Sequence, residues 1–331
     1  MDLTTRDAVP ADADAFLTAA GWAGATIAPL AGDASFRRYF RVSGPRGNAM
    51  LMDAPPPHED PQPFLRAAKW LDDNGMRAPR ILAEDATRGL VLLEDFGDVR
   101  MREHLDARPA DETEIYEHAV DALVRLHKLP PGPFTGYSLA EYQREARLLV
   151  DWWAPAQGLS VDAAAWDAAW QEVLAPVLAR QRPGVTVLRD YHAENIMLLD
   201  GPAGQGLLDF QDALVGHRAY DLVSLLQDAR RNVAPELEER MIAHYLARAG
   251  DPPEFRADYA RLGAQRNAKI VGIFVRLWKR DGKPRYLGMI PRVWALMERD
   301  LAHPALGPVA RWFEANVPEE LRTGGGGSYA A

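Results

Sequence analysis

The sequence predicts an α+β fold of two lobes, a small sheet-rich N-lobe followed by a larger helical C-lobe. Two observations carry this. Through about residue 95, apolar residues fall in short runs cut by Gly, Pro and Asp, the signature of strands and turns, with one internal stretch of helical period. After Gly97 the period becomes helical and stays so, apart from one interruption beginning near Val185. A chain of 331 residues has the length of about two domains. Its 47% hydrophobic content supplies a sizeable core.

In chain order, Ala11 to Gly21 reads as a short helix. Strands follow near Thr26–Leu30, Arg37–Val42 and Asn48–Asp53, separated by Gly-Asp and Gly-Pro breaks and closed by the run Pro55-Pro56-Pro57. Phe64, Leu65, Ala68 and Leu71 share one face of a helix over Gln62–Asn74, and "RILAED" and "GLVLLED" read as two more strands. The expected helices of the second lobe are Asp111–Leu129, Leu139–Trp153, Asp162–Arg180, Tyr220–Arg231, Pro235–Arg248, Phe255–Trp278 and Pro291–Leu301. Between them, "VTVLRDYHAENIMLLDGPAGQGLLDFQD" reads as loop, strand, turn, strand. The lobes are expected at 1–96 and 97–322. The ending "TGGGGSYAA", within 323–331, reads as a flexible linker or cloning remnant.

Composition excludes several classes of function. There is no Cys, hence no disulfide, thiolate nucleophile or Cys-ligated zinc, and the eight His form no metal-ligand pair. The polar N-terminus lacks a signal-peptide core, and no apolar run approaches the ~18 residues of a membrane helix. A net charge of −9 disfavours nucleic acid as a partner. The expectation is a cytoplasmic monomer with no membrane or nucleic-acid partner.

Asp190 and Asn195, in "LRDYHAENIMLLD", have the D-x-x-x-x-N spacing of a phosphoryl-transfer catalytic loop. Asp209 follows an apolar run one hairpin later, in "GLLDFQD". A hairpin can set Asn195 and Asp209 side by side at its open end, two oxygen donors suited to Mg2+ beside phosphate. Asp190 would then accept the proton of an acceptor hydroxyl. A second Asp-Phe pair, Asp95-Phe96-Gly97, looks like a metal motif but has no catalytic loop before it. It ends the last strand of the first lobe, where Glu94 and Phe96 would offer backbone groups to the adenine of ATP, the Glu94 side chain being an ordinary exposed one.

These residues resemble the aminoglycoside-phosphotransferase-like small-molecule kinases, which share the bilobal protein-kinase-like fold. Their H-G-D-x-H-x-x-N loop is matched from Asp190 through His192 to Asn195, with Leu188 in place of the leading His. Their metal segment and Tyr-Asp-Leu helix are matched by Leu208 to Asp212 and by Tyr220-Asp221-Leu222. More narrowly, "LAGDASFRRYFRV", "MLMDAPPP" and "RNAKIVGIFVRL" are similar to the bacterial anomeric kinases of N-acetylmuramic acid and N-acetylglucosamine, enzymes of cell-wall sugar recycling. The resemblance implies ATP and Mg2+ as cofactors and a small-molecule amino sugar as partner.

One departure is plain: Met52 stands where the template has a third-strand Lys for the ATP phosphates. The turn Gly32, Asp33, Ala34 and Ser35 could cover the phosphates instead, with Arg38 favoured over Arg37 and Arg41 as the cation. His192 and Asp221 are expected to brace the loop, and His127 to be a packed helix-end residue. Asp212, Arg230 and Arg276 are assigned to the substrate. Nine basic residues against the single acid Asp281 between Arg261 and Arg292 make either a solvated helix face or a positive cleft wall. A positive wall would repel aminoglycosides and admit neutral or anionic sugars. Aminoglycoside, choline or homoserine kinases, and an ATP-binding pseudokinase, remain the alternatives.

Overall fold

The computed structural model describes residues 8–30, 37–199, 204–250 and 252–329. The chain forms two compact units, one of residues 1–115 and 194–213, the other of 116–193 and 214–331. They are not the two consecutive stretches divided at residue 96. The hairpin of Ile196–Leu198 and Gln205–Leu207 belongs with the first unit, because Leu207 N–H donates to the Arg77 carbonyl and Leu198 N–H to that of Val99, each at 2.8 Å. The helix Met101–Ala107 of that unit was not anticipated; its buried face is only Met101 and Leu105, too little periodicity to read.

In the first unit, α1 (Ala13–Ala19) precedes β1 (Thr26–Pro29), β2 (Arg38–Gly44) and β3 (Gly47–Asp53). Next come α2 (Gln62–Asp73), β4 (Ile81–Asp85) and β5 (Leu90–Glu94). The strands form one antiparallel sheet in the order β1-β2-β3-β5-β4. Directly opposed residues share a face of such a sheet. Phe40 faces Leu51, and Leu51 faces Leu92. These residues, with Val42, Ala49 and Leu90, pack against Ala13, Phe16 and Leu17 of α1. The opposed pair Tyr39 and Met52, with Val91 beside Met52, therefore lies on the other face.

The second unit is helical. Its longest helix, Phe255–Asp281, is buried along most of its length. Gly272 makes that possible: a Cβ there would sit 2.2 Å from the Leu148 carbonyl carbon. The helix expected over Leu139–Trp153 is α-helical to Leu148 and continues as a π-helical turn, Leu149–Trp153. The one expected to reach Arg231 stops at Leu226. Beyond it, the Asp228 carboxylate takes the Arg230 N–H at 2.8 Å, a local turn that competes with helix. Val185–Val187, read as loop, is a strand paired with Leu214–Gly216.

The glycine-rich ending, expected to be a flexible linker, is instead seated on this unit. The Trp153 indole N–H donates to the Gly326 carbonyl at 2.8 Å, and that of Trp294 to the Arg322 carbonyl at 2.9 Å. A Cβ on Gly326 would come within 2.6 Å of the Trp294 ring. Trp153, Trp166, Trp170 and Trp294 are fully buried, as the core reading of Trp expects. Among the described residues, no helix is long and apolar enough to cross a membrane.

Candidate active site

The first unit carries Asn195 and Asp209, the residues expected to hold a metal. The hairpin is closed at its open end by the Leu208 N–H, which donates to the Asn195 carbonyl at 2.9 Å. There the Asn195 Nδ2 lies 3.4 Å from Asp209 Oδ2, and the Gln211 amide donates to Oδ1 at 2.8 Å. Asp209 has φ of +59°, a left-handed conformation rare for a side-chain-bearing residue and typical of functional turns. The next residue, Phe210, is fully buried and stacks on Phe64 of α2 with centroids 5.2 Å apart. A buried ring thus anchors an exposed carboxylate. An amide and a carboxylate form an all-oxygen donor set that fits Mg2+. Among the described residues no three His, Asp or Glu gather to cage an ion. A cation held by this pair would complete its shell with phosphate and water.

The segment Glu94-Asp95-Phe96-Gly97 at the end of β5, called the hinge segment below, also lies in this unit. Asp95 accepts the Gly97 N–H at 2.8 Å and pairs with Arg41 at 2.8 Å, while Gly97 turns the chain with φ of +76°. The Glu94 side chain departs from the expectation of an ordinary exposed group. Arg77 clamps it through both oxygens, at 2.8 and 2.6 Å, and Arg80 adds a contact at 3.2 Å. The Arg77 hydrogen bonds pull the Glu94 carboxyl down to about 2. Its N–H is taken by the Arg80 carbonyl at 2.9 Å, so Glu94 does not present that donor to an adenine edge. Phe96 lies under the Arg77 guanidinium, 4.7 Å away, and against Gly206, where a Cβ would approach its ring to 2.6 Å.

Gly32, Asp33, Ala34 and Ser35 lie outside the described residues. Arg38 is not where the sequence reading put it. It opposes Asp53 across β2 and β3 and binds that buried carboxylate at 2.8 and 2.5 Å, on the sheet face packed by α1. The strand's alternation turns it away from Tyr39 and Met52.

The second unit carries Asp190. Asp221, at the start of the helix Ala219–Leu226, accepts the N–H groups of Leu188 and Arg189 at 2.7 and 2.8 Å. This is the bracing expected of it. Burial pushes its carboxyl up to about 7 against the pull of those two N–H groups. Arg189 has φ of +72°, and its guanidinium binds the buried Glu145, which also pairs with Lys269 at 2.8 Å. His192, also expected to brace the loop, is buried with Nε2 3.3 Å from the Arg230 guanidinium. The Ala193 N–H reaches Asp228 at 3.3 Å. His127 is packed near its helix end with Nδ1 2.8 Å from the Tyr245 hydroxyl, as expected.

Asp190 itself is paired with the buried Arg266 at 3.6 Å. Burial works against its charge. Arg266, then Lys269, outweighs it and holds the carboxyl well below the usual range. The boundary between the units falls inside this loop, after Ala193.

The assigned substrate residues have separate fates. Asp212 is exposed in the first unit. Arg230 lies beside the Asp190 loop through His192. Arg276 is half-buried on the long helix Phe255–Asp281, where burial, with Arg280 nearby, lowers the pKa of its guanidinium. The basic stretch is not one open wall. Arg261, Arg266 and Lys269 are buried against Asp258, Asp190 and Glu145, and Arg280 pairs with Asp281. Glu145 is the partner that sequence reading missed, since a charged residue in an amphipathic helix reads as a solvated one.

The family described as "Phosphotransferase enzyme family" matches residues 26–262. A curated protein of Caulobacter vibrioides, named N-acetylmuramate/N-acetylglucosamine kinase, is 37% identical, over 93% of this chain and 96% of its own. A Pseudomonas aeruginosa protein of the same name is 38% identical over 84% of each. Among solved structures, an aminoglycoside phosphotransferase of Streptomyces rimosus, in complex with ADP and streptomycin, superposes with a TM-score of 0.56. It is 20% identical and covers 78% of this chain and 99% of its own. That match carries the kinase-like fold.

Proposed function

The chain belongs to the phosphotransferase enzyme family, and from that premise we propose that it moves the γ-phosphoryl group of ATP to the anomeric hydroxyl of N-acetylmuramic acid and N-acetylglucosamine. The observation that carries the proposal is the 37% identity to a kinase of those sugars over nearly the whole of both chains. The site supports it. Asp190 is the proton acceptor for the sugar hydroxyl. A carboxylate whose charge Arg266 stabilises is a weak base, and the anomeric hydroxyl is the most acidic of a free sugar. Weak base and acidic hydroxyl are matched.

Asn195 and Asp209 would hold Mg2+, which supplies charge neutralisation on the phosphates when bound. The hinge around Phe96 would receive the adenine. Arg230, next to His192, would meet an anionic substituent such as the lactyl carboxylate of N-acetylmuramic acid. Asp212 and Arg276 keep only the support of the sequence reading as substrate contacts. A cytoplasmic monomer is proposed with this activity.

Phosphorus NMR of the product tests the proposal. With ATP, Mg2+ and either sugar, the new resonance should couple to the anomeric proton. Phosphate at the six-position, faster turnover of a kanamycin-type acceptor, or ATP binding without transfer to any acceptor would overturn it. The last outcome is the pseudokinase that Met52 raises.

A further inference from the structure

The third strand of the sheet lacks a cation for the nucleotide phosphates, and the alternation of the second strand shows where to look for one. Phe40 and Val42 pack toward α1, and Arg38, in step with them, is bound to Asp53 on that side. Residues 37, 39 and 41 belong to the opposite face, the face of Met52, which is directly opposed to Tyr39. Arg41 is committed to the hinge, where it pairs with Asp95 and Asp98 at 2.8 and 2.7 Å.

Arg37 is placed differently. Its Nε lies 3.6 Å from the Glu59 carboxylate, with both side chains largely buried. By the alternation of the strand it shares a sheet face with Tyr39 and Met52. The Phe64–Phe210 stack then ties α2, three residues beyond Glu59, to the segment that carries Asp209.

We propose that Arg37, oriented by Glu59 and standing on the Met52 face of the sheet, is the cation that grips the nucleotide phosphates in place of the third-strand lysine. The physics favours this exchange. In the kinase template a lysine paired with a helix-borne glutamate holds the phosphates. A guanidinium on the neighbouring strand carries the same charge, keeps a donor for a carboxylate and has others for phosphate oxygens. It reaches from the residue just before β2 rather than from β3, which leaves the position opposite Tyr39 to an apolar Met52. The proposal rests on the kinase reading of the site, but its test needs no sugar.

The test is calorimetric affinity for ATP, ADP and adenosine, in the unmodified protein and in Arg37→Met, Arg37→Lys, Arg38→Met and Glu59→Gln. Arg37→Met should weaken ATP and ADP about tenfold or more while adenosine stays within about twofold, since only the phosphate contact is lost. Arg37→Lys should recover most of the loss. Glu59→Gln should weaken ATP more than adenosine, by a smaller factor. Arg38→Met should leave the ATP-to-adenosine ratio unchanged, whatever it does to the melting temperature. Equal weakening of ATP and adenosine in Arg37→Met, or no weakening of either, would overturn the assignment, as would a changed ratio in Arg38→Met alone. An unmodified protein that binds neither ATP nor ADP would overturn the kinase reading itself. One that binds them but phosphorylates no sugar would leave the phosphate grip standing.

Discussion

Asp95-Phe96 and Asp209-Phe210 are the same dipeptide used for opposite purposes. The Asp95 carboxylate is consumed by its own turn, taking the Gly97 N–H and the Arg41 guanidinium. The Asp209 carboxylate stands exposed beside Asn195 on a left-handed backbone. The rings divide the same way. Phe96 is half-buried under Arg77, whereas Phe210 is fully buried against Phe64. The second pair sets an exposed carboxylate in front of a buried ring, whereas the first engages its carboxylate with Arg41. The dipeptide alone does not distinguish them; the surroundings of its carboxylate do.

Substitution of the two aspartates should show the contrast at its largest. Asp209→Asn should lower turnover by about a thousandfold or more, because the proposed bridge to the phosphates is lost. Asp95→Asn should change turnover only a few-fold, through the hinge. Steady-state kinetics with saturating ATP and sugar would read both, and the reverse ranking would exchange the roles of the two pairs.

The next largest effect belongs to the base. Asp190→Asn should cost ~10²–10⁴ in kcat and leave ATP affinity unchanged. A drop of only a few-fold would show that the hydroxyl proton leaves by another route.

The two rings should differ in stability. Phe210→Ala removes a fully buried side chain and should cost ~3–5 kcal/mol in urea unfolding. Phe96→Ala should cost clearly less, because its ring is only half-buried. Equal costs would mean that the hinge ring, too, is a core residue.

The smallest effect is a pH dependence at the hinge. The Glu94 carboxyl is held at about 2 in the folded chain by Arg77, below its ordinary value near ~4.3. Its contribution to stability is therefore present above the ordinary value and lost as pH falls toward the folded one. Glu94→Gln should lower the melting temperature slightly at pH 7 and make no difference near pH 2. A difference that grew as the pH fell would contradict the clamp.

The sequence separates the two pairs because the proposed chemistry constrains them: Asp190, Asn195 and Asp209 occur in the required order and at hairpin spacing, and Asp95 has no loop before it. The two-lobe pattern was readable for a similar reason, since periodicity changes once and keeps its new value. What the sequence could not show depends on parity and on partners. Arg37 and Arg38 are adjacent and identical in type. Only the register of β2 against β3, with α1 on one face, sends Arg38 to Asp53 and Arg37 to the other side. Glu145, Arg189 and Lys269 lie far apart in the chain, so nothing local announces a buried charge cluster. The glycine-rich ending has the composition of a linker, and its seat under Trp153 and Trp294 exists only once those indoles need acceptors.

A divalent metal is proposed to sit on the second Asp-Phe pair. Binding of paramagnetic Mn2+ in the presence of ADP, followed by water-proton relaxation, tests it without turnover. The account predicts that Asp95→Asn binds Mn2+ as the unmodified protein does and that Asp209→Asn loses the enhanced relaxation. Loss in Asp95→Asn with retention in Asp209→Asn would contradict it.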